Sequence, residues 1–269
     1  MKKLLKGLPN GEENFDWDRG LFMLSANLPF ECNYACPKCA FIGDKSTKHI
    51  SFGRKIGLLS EASQLGARTF LLEGEGEPLI FEDFEALITQ AKDKGLTSIV
   101  FTNGYFLGEE QAKFLFDRDV SLIVSLDSLE QITYDNLTNT KGNLKRVLAN
   151  LEKAREIYAQ GVSKKDDALT TRLAVSTLIS LQTMNGLREM RDFCGDDMLF
   201  LANVPLYEGS AKANWKFLVG MEGNTQNRYN PLFFQLREKY SQGPVPICKR
   251  DIGGCASLLN GLEVKSDGS

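Results

Sequence analysis

The sequence predicts an α/β fold whose parallel strands carry the functional residues at their C-terminal ends. Three observations lead there. Six short apolar runs recur along the chain, each apolar almost throughout rather than alternating, as strands covered on both faces are. Stretches with helical spacing lie between the runs. Consecutive runs begin roughly 25 to 50 residues apart, long enough for a crossover helix in each interval. Right-handed crossovers curl such a series into a barrel or a doubly wound sheet. In both, ligands sit just beyond the C-terminal ends of the strands.

Residues 1–19 are read as an N-terminal segment. Met1-Lys2-Lys3-Leu4-Leu5-Lys6 has the basic opening of a secretion signal, but Gly11-Glu12-Glu13-Asn14 stands where an apolar stretch would follow, so export is rejected. Residues 20–210 are expected to form the core. Its first strand is Leu21 to Leu24 and its second Thr69 to Leu72. A helix over Ile80 to Lys94 follows, with Gly95 as its C′ residue. The third and fourth strands are Ser98 to Phe101 and Leu122 to Ser125. Leu144, Val147, Leu148, Leu151, Ala154 and Tyr158 then trace one helical stripe. Leu173 to Ile179 and Met198 to Leu201 complete the six strands. Residues 211–269 are expected to form a C-terminal helix and a Cys-containing extension, with the region from about Tyr207 to Pro246 less regular. Asn203-Val204-Pro205 and Asn224 to Pro231 read as loop, Phe233 to Tyr240 as a short helix, and Ile247 to Ser269 as a loop-rich extension or hairpin.

Composition narrows the function. The chain has 269 residues, 42% hydrophobic and 25% charged, with a net charge of −3. That balance gives no global attraction to nucleic acid or anionic lipid. No apolar run is long enough for a membrane helix. A cytoplasmic location with reduced thiols is therefore expected. The single histidine, His49, leaves little material for a His-centred triad. The six cysteines stand at 32, 36, 39, 194, 248 and 255. Cys194 is expected to be a packed or surface thiol.

Cys32-Asn33-Tyr34-Ala35-Cys36-Pro37-Lys38-Cys39 follows the first strand with the spacing C-x3-C-x2-C. Three thiolates on one tight loop suit a soft metal centre. Two readings compete. Structural zinc prefers four protein ligands, and His49 would supply the fourth in a zinc-stabilised binding protein. An iron–sulfur cluster is usually held by four thiolates, so three would leave one iron open to a non-protein ligand.

The triplet and its position resemble the radical S-adenosylmethionine (radical SAM) enzymes. The resemblance implies a partial (β/α)6 TIM-like barrel with a short C-terminal extension. It implies that Cys32, Cys36 and Cys39 hold a [4Fe–4S] cluster whose open iron chelates S-adenosylmethionine. One-electron cleavage would then give a 5′-deoxyadenosyl radical that abstracts hydrogen from a peptide or small-molecule substrate. The electron donor implied is a flavodoxin or ferredoxin. Further segments at strand ends support the likeness. Gly76-Glu77-Pro78 matches three positions of the family's Gly-Gly-Glu-Pro motif, with Glu75 in place of the first glycine. Thr102-Asn103-Gly104 and Ser125-Leu126-Asp127 follow the next two strands. The cofactor-binding set implied is Phe41, Glu75, Gly76, Glu77, Asn103, Ser125 and Asp127, with Lys145 or Arg146 near the methionine carboxylate. Asn203 to Gly209 resembles a loop bordering adenine and substrate. One departure is Lys38, where the family often has an aromatic residue that packs on the adenosyl group; Phe41 is the candidate replacement.

Cys248 and Cys255 resemble the start of the SPASM/twitch appendages that carry an auxiliary iron–sulfur cluster. Twelve residues separate Cys255 from Gly268, as that pattern asks, but no further cysteine follows before Ser269. Two unliganded cysteines are the competing reading, and a catalytically idle barrel that recognises a peptide is the other rival.

Overall fold

A computed structural model describes residues 2–7, 20–26, 31–41, 50–165, 168–222, 230–242 and 261–264. The chain opens with strand β1 (Lys2–Leu5) and continues with β2 (Met23–Ala26). Helix α1 (Phe52–Gln64) leads to β3 (Thr69–Leu72), and a 3-10 turn over Pro78–Ile80 precedes α2 (Phe84–Asp93). Then follow β4 (Thr97–Thr102), α3 (Glu109–Asp117), β5 (Ser121–Ser125), α4 (Gln131–Thr138) and α5 (Leu144–Tyr158). Two short strands, β6 (Ser163–Lys165) and β7 (Ala168–Thr171), precede β8 (Leu173–Leu178), α6 (Leu187–Cys194) and β9 (Leu199–Asn203). Helices α7 (Gly209–Ala213), α8 (Trp215–Val219) and α9 (Pro231–Tyr240) lead to β10 (Gly261–Val264).

The six expected strands are β2, β3, β4, β5, β8 and β9. They pair in that order, all parallel, in one curled sheet. The fold is a TIM-like partial barrel of the expected kind. Local signals seat its helices. Ser51 Oγ accepts from Arg54 N–H at the start of α1, and Asn230 caps α9 with Pro231 at its first turn. The α5 stripe is buried at Leu144, Val147, Leu151, Ala154 and Tyr158.

Alternation along each strand divides the apolar residues. Leu24, Phe70, Leu72, Val100, Leu122, Val124 and Val175 face the helices in the larger cluster. Met23, Leu71, Ile99, Ile123, Ala174 and Leu199 fill the barrel interior, joined by Leu5. Residues 2–7 are thus the floor of the barrel. β1 pairs parallel with β7. Ser121 Oγ donates to the Lys6 carbonyl at 2.7 Å and Thr69 Oγ1 to the Gly7 carbonyl at 2.9 Å. Lys3 is buried, its ammonium donating to the carbonyls of Gly195 and Met198.

Both sheet edges are covered. At β9 the Gln242 N–H donates to the Phe200 carbonyl at 2.9 Å, and the Gln242 side chain accepts from Phe200 N–H. At the other edge β10 pairs parallel with β2. Residues 261–264 of the tail, read as a loop-rich extension or hairpin, form a strand of the main sheet, and the rest of Ile247 to Ser269 lies outside the described residues. The loop reading also ends too late, because Pro231 already starts α9. His49, Cys248, Cys255 and Gly268 lie outside the described residues.

Candidate cofactor site at the barrel mouth

The lumen changes character along the strands. Two residues beyond the apolar layer, Ser25, Glu73, Ser125 and Ser176 replace Met23, Leu71, Ile123 and Ala174 on the inner face. Ser25 Oγ donates to Glu73 Oε1 at 3.4 Å, and Asn203 Nδ2 donates to Ser176 Oγ at 2.9 Å. An apolar floor thus gives way to a polar mouth at the C-terminal strand ends.

The cysteine loop lies over this mouth. Its own backbone turns through Cys39 N–H to the Cys36 carbonyl at 3.2 Å. Backbone N–H groups also point at sulfur, Tyr34 to Cys32 Sγ and Phe41 to Cys39 Sγ, both at 3.4 Å. Tyr34 anchors the loop in the core. Its hydroxyl meets that of Tyr134 at 3.2 Å, and its ring packs edge-on against Tyr105.

Four strand ends grip this loop. After β3, Glu77 N–H donates to the Glu31 carbonyl at 2.8 Å. After β4, Asn103 Nδ2 donates to Asn33 Oδ1 at 2.8 Å. After β5, Asp127 Oδ2 lies 2.6 Å from Lys38 Nζ. After β9, Ala211 N–H donates to the Cys39 carbonyl at 3.0 Å. Gly209 sits so close there that a Cβ would lie 2.3 Å from the Ala40 carbonyl oxygen, and its φ is +51°.

Glu77 is 3% exposed and engaged within the protein. Its carboxylate accepts from Thr102 Oγ1 at 2.6 Å, Asn103 N–H at 2.7 Å and Leu79 N–H at 3.2 Å. Burial pushes this carboxyl up to about 7 despite those three donors. Asn103 is also spent locally, since its Oδ1 accepts from Tyr105 N–H at 3.0 Å. Asp127 Oδ1 accepts from Leu178 N–H at 2.8 Å, tying β5 to β8. Glu75 and Gly76 lie half-buried beside Glu77, and the turn's left-handed residue is Gly74 at φ +103°, so Glu75 needs no glycine geometry. Ser125 is half-buried on the inner face and Phe41 is exposed at the rim. Arg146 stacks over the Tyr105 ring at 4.1 Å and donates to its carbonyl, whereas Lys145 is exposed. Cys194 is fully buried at the end of α6.

The donor set suits an iron–sulfur cluster. Burial pushes the Cys36 thiol up to about 12, and the charges of Asp127, Cys39 and Cys32 add to the rise against the opposing Lys38. Cys32 is raised too, first by burial, with the Tyr34 N–H opposing it. Thiolates at Cys32 and Cys36 are thus costly without cations, which a bound iron–sulfur cluster would supply, while the Tyr34 and Phe41 N–H groups point at Cys32 and Cys39. Among the described residues, no three His, Cys, Asp or Glu side chains converge as one ion would need.

Sequence reasoning missed the grip residues Glu31 and Asn33, whose partners are remote in the chain, and placed Gly209 in a site loop without its close approach to Ala40. It also missed the inner-face Glu73, legible only once the strand register is known.

Comparison with known proteins agrees with this geometry. The model of the radical SAM superfamily matches residues 27–163, about half of the chain. The probable GTP 3′,8-cyclase of Methanococcus maripaludis is 28% identical over 221 residues, covering 78% of this chain and 69% of that protein. The Fe-coproporphyrin III synthase of Methanosarcina barkeri is 28% identical over 137 residues, covering 48% of this chain and 33% of that protein. Among solved structures, Streptococcus suis SuiB bound to its precursor peptide SuiA superposes with a TM-score of 0.63 at 14% identity, over 93% of this chain and 58% of SuiB. This chain therefore spans little more than half the length of SuiB and a third of the synthase. The matched half, with its cysteine triplet over the mouth of a parallel partial barrel, places the chain in the radical SAM superfamily, enzymes that use a [4Fe–4S] cluster and S-adenosylmethionine.

Proposed function

We propose that this chain holds a [4Fe–4S] cluster on Cys32, Cys36 and Cys39 and reductively cleaves S-adenosylmethionine to modify a peptide or small-molecule substrate. When bound, the two cofactors supply a 5′-deoxyadenosyl radical that abstracts hydrogen from that substrate. The observation that carries the reading is the cysteine loop, gripped from four strand ends over a polar lumen. In this reading the protein's residues position and shield. Glu77 and Asn103 hold the loop at fixed height through Glu31 and Asn33. Glu75 and Gly76 present carboxylate and backbone acceptors to the methionine ammonium. Ser125 offers a hydroxyl from the inner face, and Phe41 an apolar surface at the rim. The apolar floor of Leu5, Ile99 and Ile123 closes the lumen to water from below.

A one-electron donor, a flavodoxin or ferredoxin by chemistry, completes the reading. Cys248 and Cys255, whose spacing resembles the start of a SPASM/twitch appendage, are candidate ligands of an auxiliary cluster. SuiB, solved with a peptide bound, supports the peptide option; the cyclase relative supports a small molecule. Anaerobic reconstitution is expected to give a brown protein that forms 5′-deoxyadenosine with dithionite. Replacing all three cysteines with Ala abolishes colour and product. Product formation by that triple variant would sink the proposal.

A further inference from the structure

Lys38 is the residue that departs from the family pattern, and the structure gives it a partner. Its side chain is 15% exposed, and its ammonium lies 2.6 Å from Asp127 Oδ2, on a carboxylate 1% exposed. Asp127 is itself fixed, its other oxygen accepting from Leu178 N–H at the end of β8. The ammonium is therefore held on a rigid post, one residue before Cys39.

We propose that the Lys38–Asp127 pair is a positioning element that sets how readily the cluster on Cys32, Cys36 and Cys39 accepts its electron. This rests on the cluster assignment made above. One electron enters from an external one-electron donor, no bond breaks, and the cluster gains one negative charge. A buried cation beside the thiolates favours that gain, and a buried anion opposes it. Asp127 also holds the ammonium in place, so the two opposite charges stay fixed relative to the loop that carries the thiolates. A pair serving only to brace the loop would not separate the two signs.

The test is a redox titration of the reconstituted full chain, followed by the electron paramagnetic resonance of the reduced cluster. Iron and sulfide are counted first in every sample. Lys38→Met is expected to shift the midpoint to more negative potential, and Asp127→Asn to more positive potential. The double variant returns toward the parent because both charges are gone. Lys38→Arg keeps the charge and stays close to the parent. Should Lys38→Met fail to load, the double variant replaces it, since no unpaired carboxylate is left buried; Asp127→Asn must then lie positive of it. Equal midpoints in loaded variants, or single variants shifted in the same direction, overturn the role of the pair and leave the cluster assignment standing. A parent chain that takes up no iron and sulfide overturns the assignment, and the role with it.

Discussion

Glu77 offers the sharpest test of how the mouth is held. Its carboxyl lies buried between Thr102, Asn103 and Leu79, and burial raises it from 4.5 to about 7. At about 1.4 kcal/mol per pH unit, that rise corresponds to roughly 3 kcal/mol. The sign follows from linkage. A carboxyl raised on folding contributes stability that is fully present below its unfolded value of 4.5 and lost as pH rises through 7. Glu77→Gln keeps the shape and most of the hydrogen bonding but cannot ionise. The variant should therefore gain on the parent as pH rises, by roughly 3 kcal/mol between pH 4.5 and 8. Urea unfolding at several pH values reads this directly. Glu77→Ala, by contrast, leaves the buried Thr102 hydroxyl and the Asn103 N–H without their acceptor. It should cost about 1–3 kcal/mol per orphaned donor at acidic pH. Parallel stability curves for the parent and the Gln variant would refute the argument.

Two further outcomes are expected. Gly209→Ala forces a Cβ against the Ala40 carbonyl oxygen at a φ of +51°, and should lower both thermal stability, by about 1–3 kcal/mol, and the iron retained after reconstitution. Leu5→Ala empties part of the barrel floor, where Leu5 is 2% exposed; urea denaturation should show a loss of about 2–5 kcal/mol.

Much of the barrel was legible because parallel strands must be apolar on both faces. The runs at Thr69 and Leu122 match β3 and β5 at their first or second residue. The first strand lies two residues later than expected, at Met23–Ala26, because the Leu21 N–H turns to the Leu65 carbonyl and the ladder with β3 begins only at Met23. β1 was illegible for a physical reason. Lys-Lys-Leu-Leu has no strand pattern of its own, and Lys3 becomes a core residue only because remote carbonyls take up its ammonium. β10 was hidden in the same way, since the open edge of β2 supplies its ladder. In the site, the sequence marked Lys38 as an exception and Asp127 as a candidate, but their ion pair spans β-strands far apart in the chain. Glu77 stood in the expected cofactor-binding set, but that its carboxylate accepts from Thr102, Asn103 and Leu79 was not visible in the spacing. Spacing finds ligands on one loop; it does not find the residues that keep the loop still.

The floor of the barrel has a consequence for how the molecule is assembled. Successive barrel strands are joined by one local crossover each, so they can zip together stepwise. The floor cannot: Lys2 pairs with Ala168, and Leu5 with Thr171, so its loop closes only after most of the barrel chain is in place. Until then Ile99 and Ile123 line a lumen open to water from below, and a chain arrested at that stage would present them to its neighbours. Folding yield, more than final stability, is where this arrangement leaves its mark.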